Sequence, residues 1–323
     1  MSNVKKVFLP LLIAVILLTA VFLLQKEEKR QTVHTYAFDT VINITVSKNA
    51  ASLSGEALDL CQKYEDVFSR TNEKSELYAL NTGKGSVLSD DMKKVLDFSL
   101  SFCALTDGAF DISVAPLTSL WNIKERTVPP TKEEIESVLP LIGYEEITLS
   151  PFSLGGRQLD LGAVAKGYVA DKLTEFFKKN NAEDVIIDLG GNVALIGEFC
   201  VGIRSPFNPE ELFAKITLKD KSAVTSGAYQ RYFDYDGKRY HHILDPRTGE
   251  CANSSLASVT VISPSSMHSD ALSTAIYILG EEGLSLCSNF PDTDALLITG
   301  DGEVITTDGF NEKYKLELVS DNE

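Results

Sequence analysis

Cysteine is scarce in these 323 residues, and histidine is scarcer. The five cysteines, Cys61, Cys103, Cys200, Cys251 and Cys287, are widely spaced, odd in number and form no C-x-x-C pair. Neither a thiolate zinc site nor a dense disulfide framework is indicated; each reads as a small buried apolar residue, with a single disulfide left open. G-x-G-x-x-G, a Walker loop, G-x-S-x-G and H-E-x-x-H are all missing, which removes the usual nucleotide cradle, serine-hydrolase elbow and zinc-protease helix. Gly155-Gly156 and Gly190-Gly191 are too short to indicate a nucleotide on their own. Positive charge is in deficit, with 30 Lys and Arg against 46 Asp and Glu. Beyond residue 30 the balance is 25 to 44, a net charge of −19, which argues against nucleic acid as a partner. The same acidity makes a bound cation helpful wherever a phosphate ester must be held.

What is present begins with an apolar run. Residues 7–24 carry no charge, follow Lys5-Lys6 and precede a charged stretch at residues 26–30. Eighteen such residues are enough to cross a bilayer. A cleavable signal peptide is the competing reading, but Thr19-Ala20-Val21 imitates its small-x-small site poorly. The reading adopted is an uncleaved single-pass anchor: residues 1–6 cytoplasmic, 7–24 in the membrane, 25–34 a tether, and 35–319 a domain outside the cytoplasm. No cysteine precedes Cys61, so lipid attachment through an N-terminal cysteine is excluded.

The stretch Asp160-Leu161-Gly162-Ala163-Val164-Ala165-Lys166-Gly167 carries the sharpest internal conflict. Ala165, Val169, Leu173 and Phe176 recur at helical spacing, and Asn180-Asn181 follows as a stop. The helix then starts just after Gly162, with Lys166 in a first turn whose dipole disfavours cations and Gly167 where Ala would be better by up to about 1 kcal/mol. An anion docked at the helix end reconciles both, the missing side chain letting it approach. The plainer alternative is a solvated lysine beside a packing glycine.

Elsewhere the pattern predicts strands at residues 40–46, 185–189, 193–196 and 295–299. It predicts helices at 53–68, 90–106, from Lys132 after the N-cap Thr131, and at 267–279 with Ser269 as N-cap and Gly280 as C′ residue. Residues 108–112 read as an extended piece closed by Pro116. Asp236-Gly237 between residues 232–235 and 238–243 signals a hairpin. Strands and helices intermix without a βαβ repeat or an internal period, so the expected class is α+β, a single domain with mixed sheets.

Two constellations could carry chemistry. Asp270 and Thr274, at i and i+4, share a helix face near its start and suit Mg²⁺, although an acid complementing the dipole is the blander reading. His241 and His242 are neighbours on one predicted strand, so one ring at most serves a given pocket. Asp160, Asp188 and Asp245 read as turn-forming carboxylates.

Taken in order, Ser75-Glu76-Leu77, Gly108-Ala109-Phe110-Asp111, the Asp160 to Gly167 stretch, Asp188-Leu189-Gly190-Gly191-Asn192, Thr225-Ser226-Gly227-Ala228-Tyr229, His242-Ile243-Leu244-Asp245-Pro246-Arg247-Thr248-Gly249 and Asp270-Ala271-Leu272-Ser273-Thr274-Ala275 resemble the ApbE family, the FAD:protein FMN transferases. They span about 280 residues. The resemblance implies FAD in a cleft with Mg²⁺ on its pyrophosphate, and transfer of FMN to a threonine or serine hydroxyl of a partner protein as AMP leaves. It implies Ala163 (through its carbonyl), Asp270 and Thr274 as metal ligands. Ala109, Phe110, Asp111, Asp160, Lys166 and Ile243 would line the FAD site, and His242 would be the base. Two positions depart from the family. Phe38-Asp39-Thr40 stands where it commonly reads Met-Gly-Thr, placing a phenylalanine at a flavin-side contact, and Thr71 occupies a position that can carry a stacking aromatic. The implied acceptor motif is Asp-Gly-x-Thr/Ser-Gly-Ala-Thr/Ser; Asp301-Gly302-Glu303-Val304-Ile305-Thr306 lacks its internal glycine, which argues against self-modification. An FAD pyrophosphatase and a flavin-binding module remain the alternatives.

Overall fold

The computed structural model describes residues 30–319. The anchor at residues 7–24 lies outside them, and no helix among the described residues is long and apolar enough to cross a membrane. The first strand, β1 (Gln31–Ala37), takes in the last four residues of the predicted tether and pairs with β2 (Thr40–Val46). Their two-residue turn is Phe38-Asp39, both at positive φ (52° and 60°), the shape Asn-Gly normally adopts. Held there against its sterics, Phe38 donates its backbone N–H to Glu65 Oε2 at 2.7 Å.

Helices α1 (Ser54–Phe68), α2 (Glu76–Asn81), α3 (Asp90–Leu105), α4 (Ala115–Trp121) and α5 (Lys132–Val138) follow. Ser75, Ser89 and Thr131 cap α2, α3 and α5, the last with a full capping box. Pro116 opens α4 rather than closing an extended segment; its fixed φ and missing N–H suit a first turn. A small hairpin, β3 (Thr148–Leu149) and β4 (Phe152–Ser153), leads to α6 (Ala165–Lys179). On α6 the buried stripe is Ala165, Val169, Leu173 and Phe177, with Phe176 turned partly outward.

The remaining strands are β5 (Val185–Leu189), β6 (Asn192–Ile196), β7 (Glu198–Arg204), β8 (Leu212–Lys219), β9 (Ser222–Gly227), β10 (Tyr232–Tyr235), β11 (Lys238–His241) and β12 (Leu256–Ser263). Then come α7 (Ser266–Leu279), β13 (Asp294–Thr299), β14 (Val304–Thr306), α8 (Phe310–Tyr314) and β15 (Glu317–Leu318). The main sheet has the order β1-β2-β5-β6-β9-β12-β13-β14, and its named strands pair antiparallel, so the expected mixed sheets are antiparallel sheets. Hairpin-length connections join β1 to β2, β5 to β6 and β13 to β14, which antiparallel pairing allows.

Alternation along β2 sends Ile42, Ile44 and Val46 inward, where they meet α1, α3, α6 and α7 in the principal core. The opposite face, through Leu195, Ile262, Leu296 and Ile298, is covered by the sheet β15-β8-β7 and by α8. A third cluster packs Trp121 and Leu117 against Phe233 and Leu244, fastening the β10–β11 hairpin to α4. Gln31 pairs with Val46, and the next residue, Ser47, reaches Glu183 beyond the C-terminus of α6. At the other end of β2, Thr40 lies against Gly190, beside the start of α6. The two ends of the domain are therefore separated by roughly the length of α6, about 22 Å at 1.5 Å per residue.

Candidate active site

The site lies where the N-termini of α6 and α7 meet. Gly167 fixes that meeting: a Cβ there would strike the Ser266 carbonyl and sit 2.7 Å from Met267 Cα. The glycine is thus required by helix crossing, not by the approach of an anion, which corrects the expectation from sequence. Close contact lets the Gly167 N–H donate to Asp270 Oδ2 at 3.0 Å. Helix α7 begins at Ser266 with Ser265 as N-cap, four residues earlier than the Ser269 expected, so Asp270 lies more than a turn inside the helix. Ser265 prevails because Asp171 of α6 accepts from its hydroxyl at 2.7 Å and from the N–H groups of Ser266 and Met267.

Helix α6 starts differently. Val164 occupies its N-cap position, and no side chain among the described residues caps it. Lys166 folds back, its Nζ donating to the Gly162 carbonyl at 3.1 Å and lying 3.6 Å from Asp270 Oδ1. Asp270 is almost wholly buried, with 5% of its side chain exposed. Thr274 is one turn further along α7, its hydroxyl donating to the Asp270 carbonyl and lying 3.4 Å from Ser226 Oγ.

These groups open into a cavity of about 220 Å³ whose wall includes Ala163, Lys166, Asp270 and Thr274. Ala109, Phe110 and Asp111 form another part of that wall, and Asp160, His242 and Ile243 a third. Asp111 is pinned by the N–H groups of Ser113 (2.7 Å) and Tyr144 (3.1 Å), while burial pushes its pKa up. Asp160 accepts from the Gly162 N–H at 2.9 Å and pairs with Arg70 at 3.3 Å, so it is a turn carboxylate that also faces the cleft. Asp188 and Asp245 act as turn formers, accepting from Gly191 and Arg247 respectively. Phe38 and Thr71 are not in this cavity but in an adjoining one of about 390 Å³, which shares Asp160, Lys166 and His242 with it. Two chambers therefore meet at the lysine and the histidine.

The histidines separate more sharply than strand alternation implies. His241 ends β11, is buried, and sets its ring edge-on to Tyr277 of α7. His242 falls just beyond the strand, in a bend, with its N–H and Nδ1 both within reach of the Arg231 carbonyl (3.1 and 3.3 Å). Burial, then the charge of Arg231, pushes the His242 pKa down to about 3; burial pushes His241 down to about 4. Both rings are neutral at pH 7; His242 lines both chambers, and burial with the charge of Arg231 makes it a weak base until negative charge is brought beside it.

Four cleft-facing residues, Arg70, Arg231, Asn192 and Ser226, received no role from the sequence. Asn192 and Ser226 lie inside recognised segments and line the first chamber, while Arg70 lines the second and Arg231 both. Asn192 carries the clearest signal: its Nδ2 is buried and has no hydrogen-bond partner among the described residues.

Comparison with known proteins identifies the family. The ApbE family profile matches residues 38–297. The FAD:protein FMN transferase of Klebsiella pneumoniae is 34% identical over 267 residues, covering 79% of this chain and 84% of that protein. That of Treponema pallidum is 34% identical over 292 residues, covering 81% of each. Among solved structures, the ApbE protein of Thermotoga maritima superposes with a TM-score of 0.78 at 28% identity, covering 88% of this chain and 99% of the other. The flavin transferase ApbE of Vibrio cholerae gives 0.75 at 26%, with the same coverage. With its profile match and its relatives in agreement, this chain belongs to the ApbE family.

Proposed function

We propose that this enzyme moves the FMN half of FAD onto a threonine or serine hydroxyl of a partner protein, releasing AMP, with Mg²⁺ bound by the Ala163 carbonyl, Asp270 and Thr274. The observation that carries the reading is the convergence of Lys166, Asp270 and Thr274 on one wall, with His242 where the two chambers join. The donor set fits a hard cation: one buried carboxylate, a hydroxyl and main-chain oxygens, with an ammonium already drawn to Asp270 and the Gly162 carbonyl. Its sparseness accords with Mg²⁺, which keeps waters and substrate phosphates in its shell. When bound, the metal supplies charge neutralisation to the pyrophosphate.

The chain's own residues do the rest. Two chambers suit the two halves of FAD, and the uncapped N-terminus of α6 with the Lys166 ammonium suits the phosphates between them. In the transfer, the acceptor hydroxyl oxygen bonds to the FMN phosphorus, its proton passes to the neutral His242 ring, and the bond from that phosphorus to the bridging oxygen breaks, leaving with AMP. Developing charge on the phosphoryl oxygens is met by Lys166 and the α6 N–H groups.

The run at residues 7–24 supports a membrane anchor with the domain outside the cytoplasm. Gln31 emerges at the end of the domain away from the cleft, so such an anchor leaves the cleft facing away from the bilayer.

One incubation tests the reaction: FAD, Mg²⁺ and a protein carrying Asp-Gly-x-Thr/Ser-Gly-Ala-Thr/Ser. Transfer yields AMP and covalent flavin in equal amounts. Free FMN with AMP would identify a pyrophosphatase, and neither product would identify a binding module.

A further inference from the structure

The inference rests on the metal-site reading above and concerns the cation that Asp270 holds before any ligand arrives. The Lys166 ammonium lies 3.6 Å from Asp270 Oδ1 and 3.1 Å from the Gly162 carbonyl oxygen. Those are a carboxylate oxygen and a backbone carbonyl in the same turn as Ala163, the chemistry a hard cation uses. Asp270 is buried, and its other oxygen is satisfied by the Gly167 N–H. A buried ionised carboxylate with one N–H and no cation is strongly disfavoured, so Asp270 stays ionised in this site only with a positive charge beside it. A lysine and a divalent ion cannot both hold the Asp270 oxygen without repelling each other.

We propose that Lys166 is the resident cation of this site while FAD is absent, and that metal enters only after the FAD pyrophosphate draws the ammonium away. Three observations support a swing rather than a fixed lysine. Lys166 lines both chambers, so its flexible stem can place Nζ toward either. It lies in the first turn of α6, whose N–H groups recruit the same phosphates that attract it. Its side chain is 19% exposed, against 5% for Asp270, so the lysine is the member of the pair with room to move toward solvent and the cleft. Binding is then ordered, FAD before metal, and the FAD-free enzyme holds metal weakly.

The test reads metal binding rather than turnover. Mn²⁺, as the probe for Mg²⁺, is titrated by electron paramagnetic resonance into wild type, Lys166→Met and Asp270→Asn, each with and without FAD. Without FAD, Lys166→Met should bind Mn²⁺ at least tenfold more tightly than wild type, and Mn²⁺ should raise its melting temperature more. A lysine with a merely structural role would lower stability without raising metal affinity. In wild type, FAD should strengthen Mn²⁺ binding by a larger factor than in the variant. If Mn²⁺ binds wild type with FAD, is lost in Asp270→Asn, yet binds FAD-free Lys166→Met no better than wild type, the metal site stands and the exchange is wrong. If Asp270→Asn binds Mn²⁺ as wild type does, the metal-site reading fails and the exchange falls with it. Should Lys166→Met not fold, wild type decides alone: Mn²⁺ binding without FAD as tight as with it overturns the proposal.

Discussion

Helices α6 and α7 cross at Gly167 yet begin in opposite ways. The start of α7 is closed: Ser265 caps it, Asp171 accepts from two of its N–H groups, and its first-turn His268 is packed between Phe98 and Phe290. The start of α6 has no side-chain cap among the described residues, carries a lysine where the dipole disfavours one, and opens into the cleft. Helices normally satisfy their first N–H groups with side chains or solvent. One helix here has its end built shut to serve as a platform, and the other has its end kept open to serve as a receptor. Asp171, on α6, is the residue that closes α7, so the open helix seals its neighbour.

Removing the carboxylate that the two helices share should have the largest effect. Asp270→Asn takes away both the metal ligand and the partner of Lys166, and transfer should fall by about 10³-fold or more, several kcal/mol of lost charge stabilisation. The amount of covalently flavinylated acceptor per turnover across a range of Mg²⁺ concentrations is the measure; a wild-type rate would dissolve the distinction between the two ends.

Chemistry at the open end, as opposed to mere binding there, is tested by the histidines. His242→Ala should slow single-turnover transfer by about 10²-fold with FAD affinity little changed, because a positioned base contributes on that order. His241→Ala should leave transfer nearly intact, since its ring is packed on Tyr277. A greater loss in His241→Ala would reverse the assignment.

The crossing itself can be broken at Gly167. In an exposed helix Gly→Ala gains up to about 1 kcal/mol, but here the added methyl meets Ser266 and Met267, so unfolding in urea should show a loss of about 2–3 kcal/mol. A gain in stability would mean the helices are less tightly joined than described.

The smallest effect belongs to the closed end. Burial lowers the His268 pKa, so below about pH 6.5 the unfolded chain binds a proton that the folded chain refuses. Its contribution is whole above that pH and declines as pH falls. Thermal melts of His268→Phe between pH 7 and 5 should show a shallower decline than wild type; an identical slope would place the ring in water.

Much of this was legible in the sequence because it depends on local rules. Strand β2 falls where residues 40–46 alternate, α5 starts after the capping box at Thr131, and Asp236-Gly237 turns β10 into β11 at positive φ. The cleft was legible in another way: the family segments come together in space, and ten of the twelve expected residues line one chamber while Phe38 and Thr71 line the next.

Misreadings share one cause, a residue whose role is set by a distant partner. Ser269 has the composition of an N-cap, but Ser265 wins because Asp171, almost a hundred residues away in sequence, waits for it. Gly167 suggested an anion when its partner is another helix. Pro116 suggested an end to extended chain and instead starts a helix. By itself the sequence determined the element types, the acidic surface, the apolar run at residues 7–24 and the family, all properties of periodicity, composition and ordered motifs. Only the tertiary structure decided that Arg70, Arg231 and Asn192 join the cleft and that Lys166 rests on Asp270, because each depends on where elements remote in sequence come into contact.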